Sequence, residues 1–221
     1  NFIRHGQTNY NANGIIQGQC ESYLNIEGQN QVKYLKQFIN CNSNDLILSS
    51  DLLRCRQTCE ILFGFENMAQ VQYSNLLRER HMGKYQGLKT DSILSSRLLD
   101  MDNIEQGECL TTFYDRIDKF LNLILENVKD NQEIENIFIV THSTFIIHFY
   151  KKIFGKLPET IPENCSISSY LSIIGNSIEK IHLTDWNRKN VKLDNDNMHG
   201  NITEKYNMSS DYSGNIHNLY T

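Results

Sequence analysis

Residues 137–143 read Ile137-Phe138-Ile139-Val140-Thr141-His142-Ser143, an apolar run that changes at once into polar residues. An apolar run of this length is typical of a short, fully buried strand. Apolar residues at helical spacing follow, and they predict a helix directly after the polar residues: Phe145, Ile146, Phe149 and Ile153. A buried strand, a polar turn and a helix in this order are the repeating unit of an α/β fold.

Two further stretches repeat this arrangement. Residues 1–3 read as the end of an apolar strand that leads into Arg4-His5, and residues 46–48 read as a buried strand that leads through polar residues into a helix carrying Arg54. Open α/β sheets place their sites outside the carboxyl ends of the strands. We therefore expect Arg4-His5, Arg54 and His142 to meet at one edge of one sheet.

The remaining elements fit the same fold class. Asn25 is a candidate cap for a helix with Val32, Leu35, Phe38 and Ile39 on its apolar face. Residues 71–73 alternate as a short strand, residues 76–87 suit a loop, and a long apolar stripe predicts a helix after Gly107: Leu110, Phe113, Ile117, Phe120, Leu121, Ile124 and Val128. Residues 169–183, with Gly175-Asn176 in the middle, resemble a hairpin. The sequence predicts an α/β domain with a mainly parallel sheet and an antiparallel edge strand.

The composition sets outer limits on function. The chain has 221 residues, a formal net charge of -5 and a sequence pI of about 5.8, so no global positive field attracts nucleic acid or an anionic membrane. Mean hydropathy is -0.47, and no apolar run reaches the length of about 18 residues that a membrane-spanning helix needs. We expect one domain over residues 1–186 and a polar tail over residues 187–221, either ordered against the domain or floppy. Because the chain begins at Asn1, we also expect its first strand to be cut short.

Cysteine and histidine usage gives no sign of a metal site. The six cysteines lack CxxC spacing, which favours reduced thiols and a cytoplasmic location. Three of them, Cys55, Cys59 and Cys109, fall on or beside apolar helix positions and are expected in the core. The other histidines lack metal-binding spacing: His81, His148, His182, His199 and His217. We expect neither a metal nor another cofactor.

Two guanidinium groups and two imidazoles beside helix N-termini form a site for phosphate. An unprotonated imidazole can attack phosphorus and form a phosphohistidine, which divides one difficult displacement into two easier ones. Arginines then neutralise the equatorial oxygens, and a carboxylic acid protonates the leaving oxygen. The predicted edge of the sheet therefore suits phosphoryl transfer from a phosphorylated small molecule or phosphoprotein.

Seven sequence blocks resemble the histidine phosphatase superfamily, in its phosphoglycerate-mutase-like branch, and they cover roughly residues 1–185. The first, Arg4-His5-Gly6-Gln7-Thr8-Asn9-Tyr10-Asn11, is similar to the RHGxTxxN signature. The others follow in the family's order: Gln17-Gly18, Leu24 to Gln29, Ser49 to Thr58, Leu77-Arg78-Glu79 with Gly83 and Gly87, Gly107-Glu108-Cys109, and Val140 to Ser143. The resemblance implies a three-layer αβα sandwich of the phosphoglycerate-mutase type.

The resemblance also implies a role for each matching residue. His5 becomes the nucleophile, Arg4, Arg54 and His142 the phosphate clamp, and Glu79 the general acid that later activates water. Asn11 would be a further phosphate contact, Gln17 and Gly18 would lie at the rim and face the rest of the substrate, and Ser143 would present its backbone N–H. For the proton donor, Glu108 and Glu27 stay as alternatives to Glu79.

Three functions remain open at this point. A metal-independent phosphomonoesterase is favoured because the long mutase insertion with paired arginines is absent, and because residues 162–167 resemble a "PNCSI" stretch common in the phosphatases. A 2,3-bisphosphoglycerate-dependent phosphoglycerate mutase is the alternative, since residues 79–89 resemble a mutase block, although Met82 replaces its tyrosine and Lys89 is offset by one. The third is a catalytically silent module that binds phosphorylated ligands. Whether the chain forms a homo-oligomer is not encoded in these motifs.

Overall fold

Short apolar strands alternate with amphipathic helices along most of the chain. The computed structural model describes residues 1–174, 178–188 and 213–215. Its strands are β1 (Phe2–Arg4), β2 (Leu46–Ser50), β3 (Val71–Ser74), β4 (Ile137–Thr141), β5 (Ile167–Ile174), β6 (Ile178–Arg188) and β7 (Ser213–Asn215). Its α-helices are α1 (Asn9–Ala12), α2 (Ile26–Lys36), α3 (Leu53–Phe63), α4 (Ser92–Asp100), α5 (Leu110–Asp130) and α6 (Ser143–Phe154).

The strands of the described residues form one sheet in the order β3-β2-β4-β1-β5-β6-β7. The pairs β3-β2, β2-β4 and β4-β1 are parallel, whereas β5 runs antiparallel to β1 and β6 antiparallel to β5. The predicted α/β class, with a parallel sheet and an antiparallel edge, is confirmed. The antiparallel part is larger than a single edge strand, because β7 also pairs with β6.

Helices cover both faces of the sheet, as a three-layer sandwich requires. Strand residues alternate between the faces: Phe2 packs with the apolar side of α5 and α6, whereas the next residue, Ile3, packs with α2 and α3. The Phe2 ring lies 4.5 Å from the ring of Phe149, centroid to centroid. Burial of a phenylalanine of this kind stabilises the fold by roughly 1.5–3 kcal/mol. Since Phe2 and Ile3 lie in different cores, both cores hold β1 in the middle of the sheet.

Helix α2 begins where it was predicted, but it ends before two of the residues predicted on its apolar face. The side chain of Asn25 accepts a hydrogen bond from the backbone N–H of Gly28 at 2.7 Å, so Asn25 caps the helix as expected. The helix ends at Lys36, so Phe38 and Ile39 lie beyond it.

Helix α4 was not predicted from the sequence. Asp91 caps it through a 2.8 Å hydrogen bond to the backbone N–H of Leu94. Its C-terminal end is held from outside the helix, by the buried side chains of Arg80 and His148, which donate to the carbonyls of Leu98 and Leu99 respectively. The helix thus depends on tertiary contacts more than on its own sequence.

The cysteines are free thiols in the structure. Cys55 and Cys59 are fully buried, as predicted. Cys109 differs: it caps the N-terminus of α5, where its thiol accepts from the backbone N–H of Thr112, and it is half-buried rather than in the core.

The predicted division at residue 187 stays a prediction. The hairpin over residues 169–183 is present as the paired strands β5 and β6, while its turn, residues 175–177, lies outside the described residues. Of the predicted tail, only residues 187–188 and 213–215 are described. Among the described residues, no helix combines the length and apolarity needed to cross a membrane.

Candidate active site

The two histidines predicted to share a site follow directly after neighbouring parallel strands. Arg4 of β1 is in register with Thr141 of β4, so His5 and His142 leave the sheet side by side. Their ring centroids lie 5.2 Å apart, and both side chains are buried. The carboxyl edge of the sheet therefore brings together two imidazoles separated by 137 positions in sequence.

Hydrogen bonds leave Nε2 of His5 as the ring nitrogen with an available lone pair. Nδ1 lies 2.7 Å from the carbonyl oxygen of Gly6, an acceptor, which places the imidazole proton on Nδ1. Nε2 then carries the lone pair, and Nε of Arg54 donates to it at 3.3 Å. Burial, followed by the charges of Arg54 and Arg4, lowers the pKa of His5 well below 6.5. His5 is therefore a neutral imidazole with a fixed tautomer.

Arg54 is aimed by backbone carbonyls of the loop that contains Gly18. Its Nη2 donates to the Gly18 carbonyl at 2.8 Å and its Nη1 to the Cys20 carbonyl at 2.9 Å. Gly18 has φ +51°, and a Cβ there would meet the side chain of Gln86 at 2.2 Å. This left-handed backbone favours glycine, and Gly18 contributes to the site through its carbonyl.

Two buried nitrogen atoms at the site have no hydrogen-bond partner within the described part of the chain: Nε of Arg4 and Nδ1 of His142. Arg4 is anchored through Nη1, which donates to the Pro162 carbonyl at 2.7 Å, and burial lowers its pKa to about 10. Nε2 of His142 lies 2.8 Å from the hydroxyl of Ser50, and burial and the nearby Arg54 lower the pKa of His142 well below 6.5. Buried polar atoms are normally paired, so these two nitrogens suit an anionic ligand.

Glu79 lies against the N-terminus of α6. Its Oε2 accepts from the backbone N–H of Thr144 at 3.3 Å and its Oε1 from the backbone N–H of Arg80 at 3.0 Å. Its carboxylate faces the positive end of the α6 dipole. The helix residue that it contacts, Thr144, follows His142 by two positions. It also acts electrostatically on Arg4 and Arg54, whose pKa values it raises against the effect of burial.

The two alternative carboxylates lie elsewhere. Glu108 forms a bidentate ion pair with Arg116, with both N–O distances at 2.9 Å. Glu27 is exposed in the first turn of α2, where its Oε1 accepts from Gln31. These placements favour Glu79 as the proton donor.

The remaining predicted site residues, Asn11, Gln17 and Ser143, lie in three different local environments. Asn11 Oδ1 accepts from the backbone N–H of Thr8 at 3.1 Å, inside the capping box of α1. Gln17 Oε1 accepts from the hydroxyls of Thr8 and Ser22, at 3.0 and 2.6 Å. Ser143 is the first residue of α6, where helix geometry leaves backbone N–H groups without intrahelical partners. Their contact with substrate stays a prediction.

Arg116 supports the backbone around Glu79, a role that was not predicted from the sequence. Arg116 donates to the carbonyls of Leu76 and Arg78, both at 2.7 Å, and to that of Glu79 at 3.3 Å. Glu108, which belongs to one of the seven blocks, holds the other side of the same guanidinium. The Gly107-Glu108-Cys109 block was the signal for this contact in the sequence. Only the structure shows that Glu108 is connected through Arg116 to the backbone of Glu79.

No group of three or more His, Cys, Asp or Glu side chains in the described ranges is arranged to hold a metal ion. What the site does present is two guanidinium groups, two neutral imidazoles and one carboxylate, gathered at the carboxyl edge of the sheet.

Comparison with known proteins identifies the class. Residues 1–188 match the model of the histidine phosphatase superfamily (branch 1), so the chain belongs to this superfamily. It is 30% identical over 161 residues to the phosphoglycerate mutase-like protein 4 of Arabidopsis thaliana, over 68% of each chain. It is 33% identical over 120 residues to a Schizosaccharomyces pombe protein described as a probable phosphatase, over 54% of this chain and 56% of that protein. The chain thus spans between 56% and 68% of the length of these relatives.

A solved structure agrees with the fold. The mycobacterial glucosyl-3-phosphoglycerate phosphatase in complex with VO3 superposes with a TM-score of 0.68 at 26% identity, over 84% of this chain and 96% of that one. The family and its relatives make this chain an enzyme of the phosphatase or mutase type, with a phosphoglycerate-mutase-like fold.

Proposed function

We propose that the chain is a metal-independent phosphomonoesterase that works through a phosphohistidine on His5. The observation that carries the proposal is the fixed tautomer of His5: Nδ1 donates to Gly6, so the lone pair of Nε2 points at Arg54 Nε, 3.3 Å away. A phosphoryl group bound there would have its oxygens on Arg54, Arg4 and His142 and its phosphorus in front of Nε2.

The first half of the reaction transfers the phosphoryl group to the enzyme. Nε2 of His5 attacks phosphorus, the bond from phosphorus to the ester oxygen breaks, and Glu79 gives its proton to that oxygen. The guanidinium groups of Arg4 and Arg54 neutralise the charge on the equatorial oxygens as it develops. The alcohol leaves, and Glu79 is now a carboxylate.

The second half returns the enzyme to its starting state. Glu79 accepts a proton from water as the water oxygen attacks phosphorus, and the P–N bond breaks with its electron pair returning to Nε2. The products are inorganic phosphate and a protonated Glu79. Each step uses groups of this chain and water alone, so the scheme requires no added cofactor.

The surroundings of residues 80–82 favour a phosphatase over a mutase. Arg80 is fully buried, and its guanidinium donates to backbone carbonyls around α4. Met82 packs in a small apolar cluster with Leu98 and Ile104. Neither Arg80 nor Met82 therefore presents a polar group to a second, glycerate-like part of a substrate. Phosphorylated metabolites and phosphoproteins remain the substrate classes to be tested.

The decisive assay is release of para-nitrophenol from para-nitrophenyl phosphate in the presence of EDTA. We expect turnover that EDTA does not reduce, and a loss on the order of 10³-fold or more in His5→Ala. His148→Gln, which alters a buried histidine outside the site, is the matched control and should stay near the wild-type rate. Absence of turnover, or an unaffected His5→Ala variant, would reject the proposal.

The mutase is the second candidate, supported by the relative named as mutase-like. An enolase-coupled assay with 3-phosphoglycerate and 2,3-bisphosphoglycerate measures it directly. Product formation faster than phosphate release from the same substrates would replace the phosphatase with the mutase. Labelling of His5 by a phosphodonor, lost on mild acid treatment, would exclude a silent binding module.

A further inference from the structure

The segment 162–166 lies alongside the catalytic dipeptide Arg4-His5. The carbonyl of Pro162 accepts from the guanidinium of Arg4 at 2.7 Å, and the backbone N–H of Cys165 donates to the Arg4 carbonyl at 3.0 Å. The backbone N–H of Arg4 in turn donates to the Ser166 carbonyl at 3.2 Å. Both the side chain and the main chain of Arg4 are thus held by one short segment.

Asn164 extends this support to the nucleophile. Its Nδ2 donates to the backbone carbonyl of His5 at 2.9 Å. The same Nδ2 lies 3.4 Å from Oδ1 of Asn11, as a second, longer hydrogen bond. A single amide group therefore connects the main chain of the nucleophile with the side chain predicted to contact phosphate.

The contact with Asn11 settles which end of the Asn11 amide faces the ligand. Its Oδ1 receives donors from two sides, the backbone N–H of Thr8 and Nδ2 of Asn164. A planar amide with its oxygen held in this way directs its NH₂ group the other way, as a donor. That is the orientation in which Asn11 can bind a phosphoryl oxygen.

The backbone of the segment is strained at the next residue. Cys165 has φ +58°, in the left-handed region that side chains other than glycine and asparagine rarely adopt. Such a conformation costs on the order of 1 kcal/mol or more and persists where surrounding contacts enforce it, often at functional sites. Here it directs the Cys165 N–H to Arg4 while Asn164 faces His5.

The end of β6 supports the segment from behind. Asn187 Oδ1 accepts from the backbone N–H of Glu163 at 2.7 Å, and its Nδ2 donates to the carbonyl of Ile161 at 3.2 Å. The segment is therefore connected to the sheet at both sides of Asn164, through Asn187 and through Ser166.

We propose that Asn164 is a positioning residue for phosphoryl transfer: its amide holds the main chain of His5 and the amide of Asn11 in the orientations that attack and phosphate binding require. The inference rests on the proposed function, because it assigns the residue to that same site. Asn164 touches neither phosphorus nor the leaving group. A displacement of about 1 Å in an attacking group can cost 10²-fold in rate, so loss of this support should be visible in kinetics.

The test compares Asn164→Asp and Asn164→Ala with wild type. Asp has the size of Asn but offers no donor at neutral pH, so it would face two acceptors, the His5 carbonyl and Asn11 Oδ1. We expect kcat for para-nitrophenyl phosphate to fall about 10- to 100-fold in both variants. We also expect the Kd of inorganic phosphate, measured by calorimetry, to rise more in Asn164→Asp, because the new carboxylate repels the anion in addition to losing the two hydrogen bonds.

Asn127→Ala is the matched control. Its Nδ2 also donates to a backbone carbonyl, that of Leu123 at 2.8 Å, on the far part of α5. It should change kcat and the phosphate Kd less than about 2-fold, as expected for an asparagine outside the site. Thermal unfolding monitored by circular dichroism confirms that each variant is folded at the assay temperature. If Asn164→Ala is not folded there, Asn164→Asp still provides the test.

A double-mutant cycle identifies the coupling with Asn11. In an Asn11→Ala background, Asn164→Ala should raise the phosphate Kd less than it does when Asn11 is present, since the amide that Asn164 holds is gone. An Asn164→Asp variant with wild-type kcat and phosphate Kd would overturn the inference while the phosphatase activity stands. An inactive wild type that does not bind phosphate would overturn the proposed function and this inference together.

Discussion

Nε of Arg54 donates a hydrogen bond to Nε2 of His5 across 3.3 Å in the resting site. The arginine thus occupies the lone pair of the nucleophile until a phosphoryl oxygen takes the N–H. Its positive charge, after burial, is also a cause of the lowered pKa of His5, together with Arg4. Burial and the two guanidinium groups together keep the imidazole neutral, and Arg54 is the one in contact with its lone pair.

The Arg54→Gln variant tests this electrostatic effect. Removing the cation should raise the pKa of His5, so that the ring becomes protonated at a higher pH than in wild type. Titration of the His5 ring by NMR measures this without any need for activity. Arg56→Gln is the control, because Arg56 lies in the same helix but donates to the carbonyl of Asp51 and packs over Tyr73. Equal His5 titration in the Arg54→Gln variant and wild type would contradict the assignment.

His148 should make the fold sensitive to acid. Its Nε2 donates to the Leu99 carbonyl at 3.0 Å, Nδ1 accepts from the hydroxyl of Tyr114 at 2.9 Å, and burial lowers its pKa to about 4. The unfolded chain takes up this proton near pH 6.5 and the folded chain only near pH 4. Stability therefore falls as the pH drops through this window, by at most roughly 3 kcal/mol from this group.

Urea unfolding at pH 7, 6, 5 and 4 measures that loss. In His148→Gln the free energy of unfolding should fall less steeply between pH 6.5 and 4, since the titrating group is gone. Tyr114→Phe removes the same hydrogen bond but keeps the imidazole, so it should retain a steep dependence. Parallel curves for wild type and His148→Gln would show that His148 does not carry the effect.

Arg80 should be a major contributor to stability, whereas its neighbour Glu79 is the proposed proton donor. Its guanidinium donates to four backbone carbonyls between 2.6 and 3.2 Å, those of Glu108, Leu98, Met101 and Asp102. Arg80→Met leaves these buried acceptors without a donor, and we expect a loss of roughly 2–4 kcal/mol in the free energy of unfolding. Arg97→Met, on the exposed side of α4, should cost less than about 0.5 kcal/mol. Similar losses in both variants would exclude the anchoring role.

Arg116 should affect catalysis without contacting phosphate. Lysine keeps the charge but cannot make the forked contacts to Glu108 and to the carbonyls of residues 76, 78 and 79. We expect Arg116→Lys to lower kcat for para-nitrophenyl phosphate about 10-fold or more, with little change in KM, because Glu79 moves while the phosphate clamp stays. Lys119→Ala, one turn further along α5 and exposed, is the control. A change confined to KM would assign Arg116 to substrate binding instead.

The parallel strands, and the meeting of His5 and His142 at their ends, were predictable because the signal is local. In each case a short apolar run stops at a polar residue, and the fold places such ends at one edge, as it does with His5 and His142. The paired strands on either side of Gly175-Asn176 were predictable for a similar reason, from two β-rich runs around a turn.

The supporting contacts were not predictable from the sequence. Helix α4 contains serines and an arginine, and it is fixed at its end by Arg80 and His148, which come from distant parts of the chain. Asn164 follows His142 by 22 positions, and no spacing rule connects its amide to the carbonyl of His5. Such contacts depend on where three elements meet, which a single run of residues does not encode.

The central place of β1 determines when the enzyme can first become active during synthesis. Its partners on either side, β4 and β5, begin at Ile137 and Ile167, so β1 leaves the ribosome long before either strand with which it pairs. Contacts of such long sequence separation are slow to form, because loop closure precedes them. Nascent chains that end before β4 lack both His142 and the strand that places His5. Recovery of activity during refolding should therefore lag behind helix formation and report the closure of the sheet around its first strand.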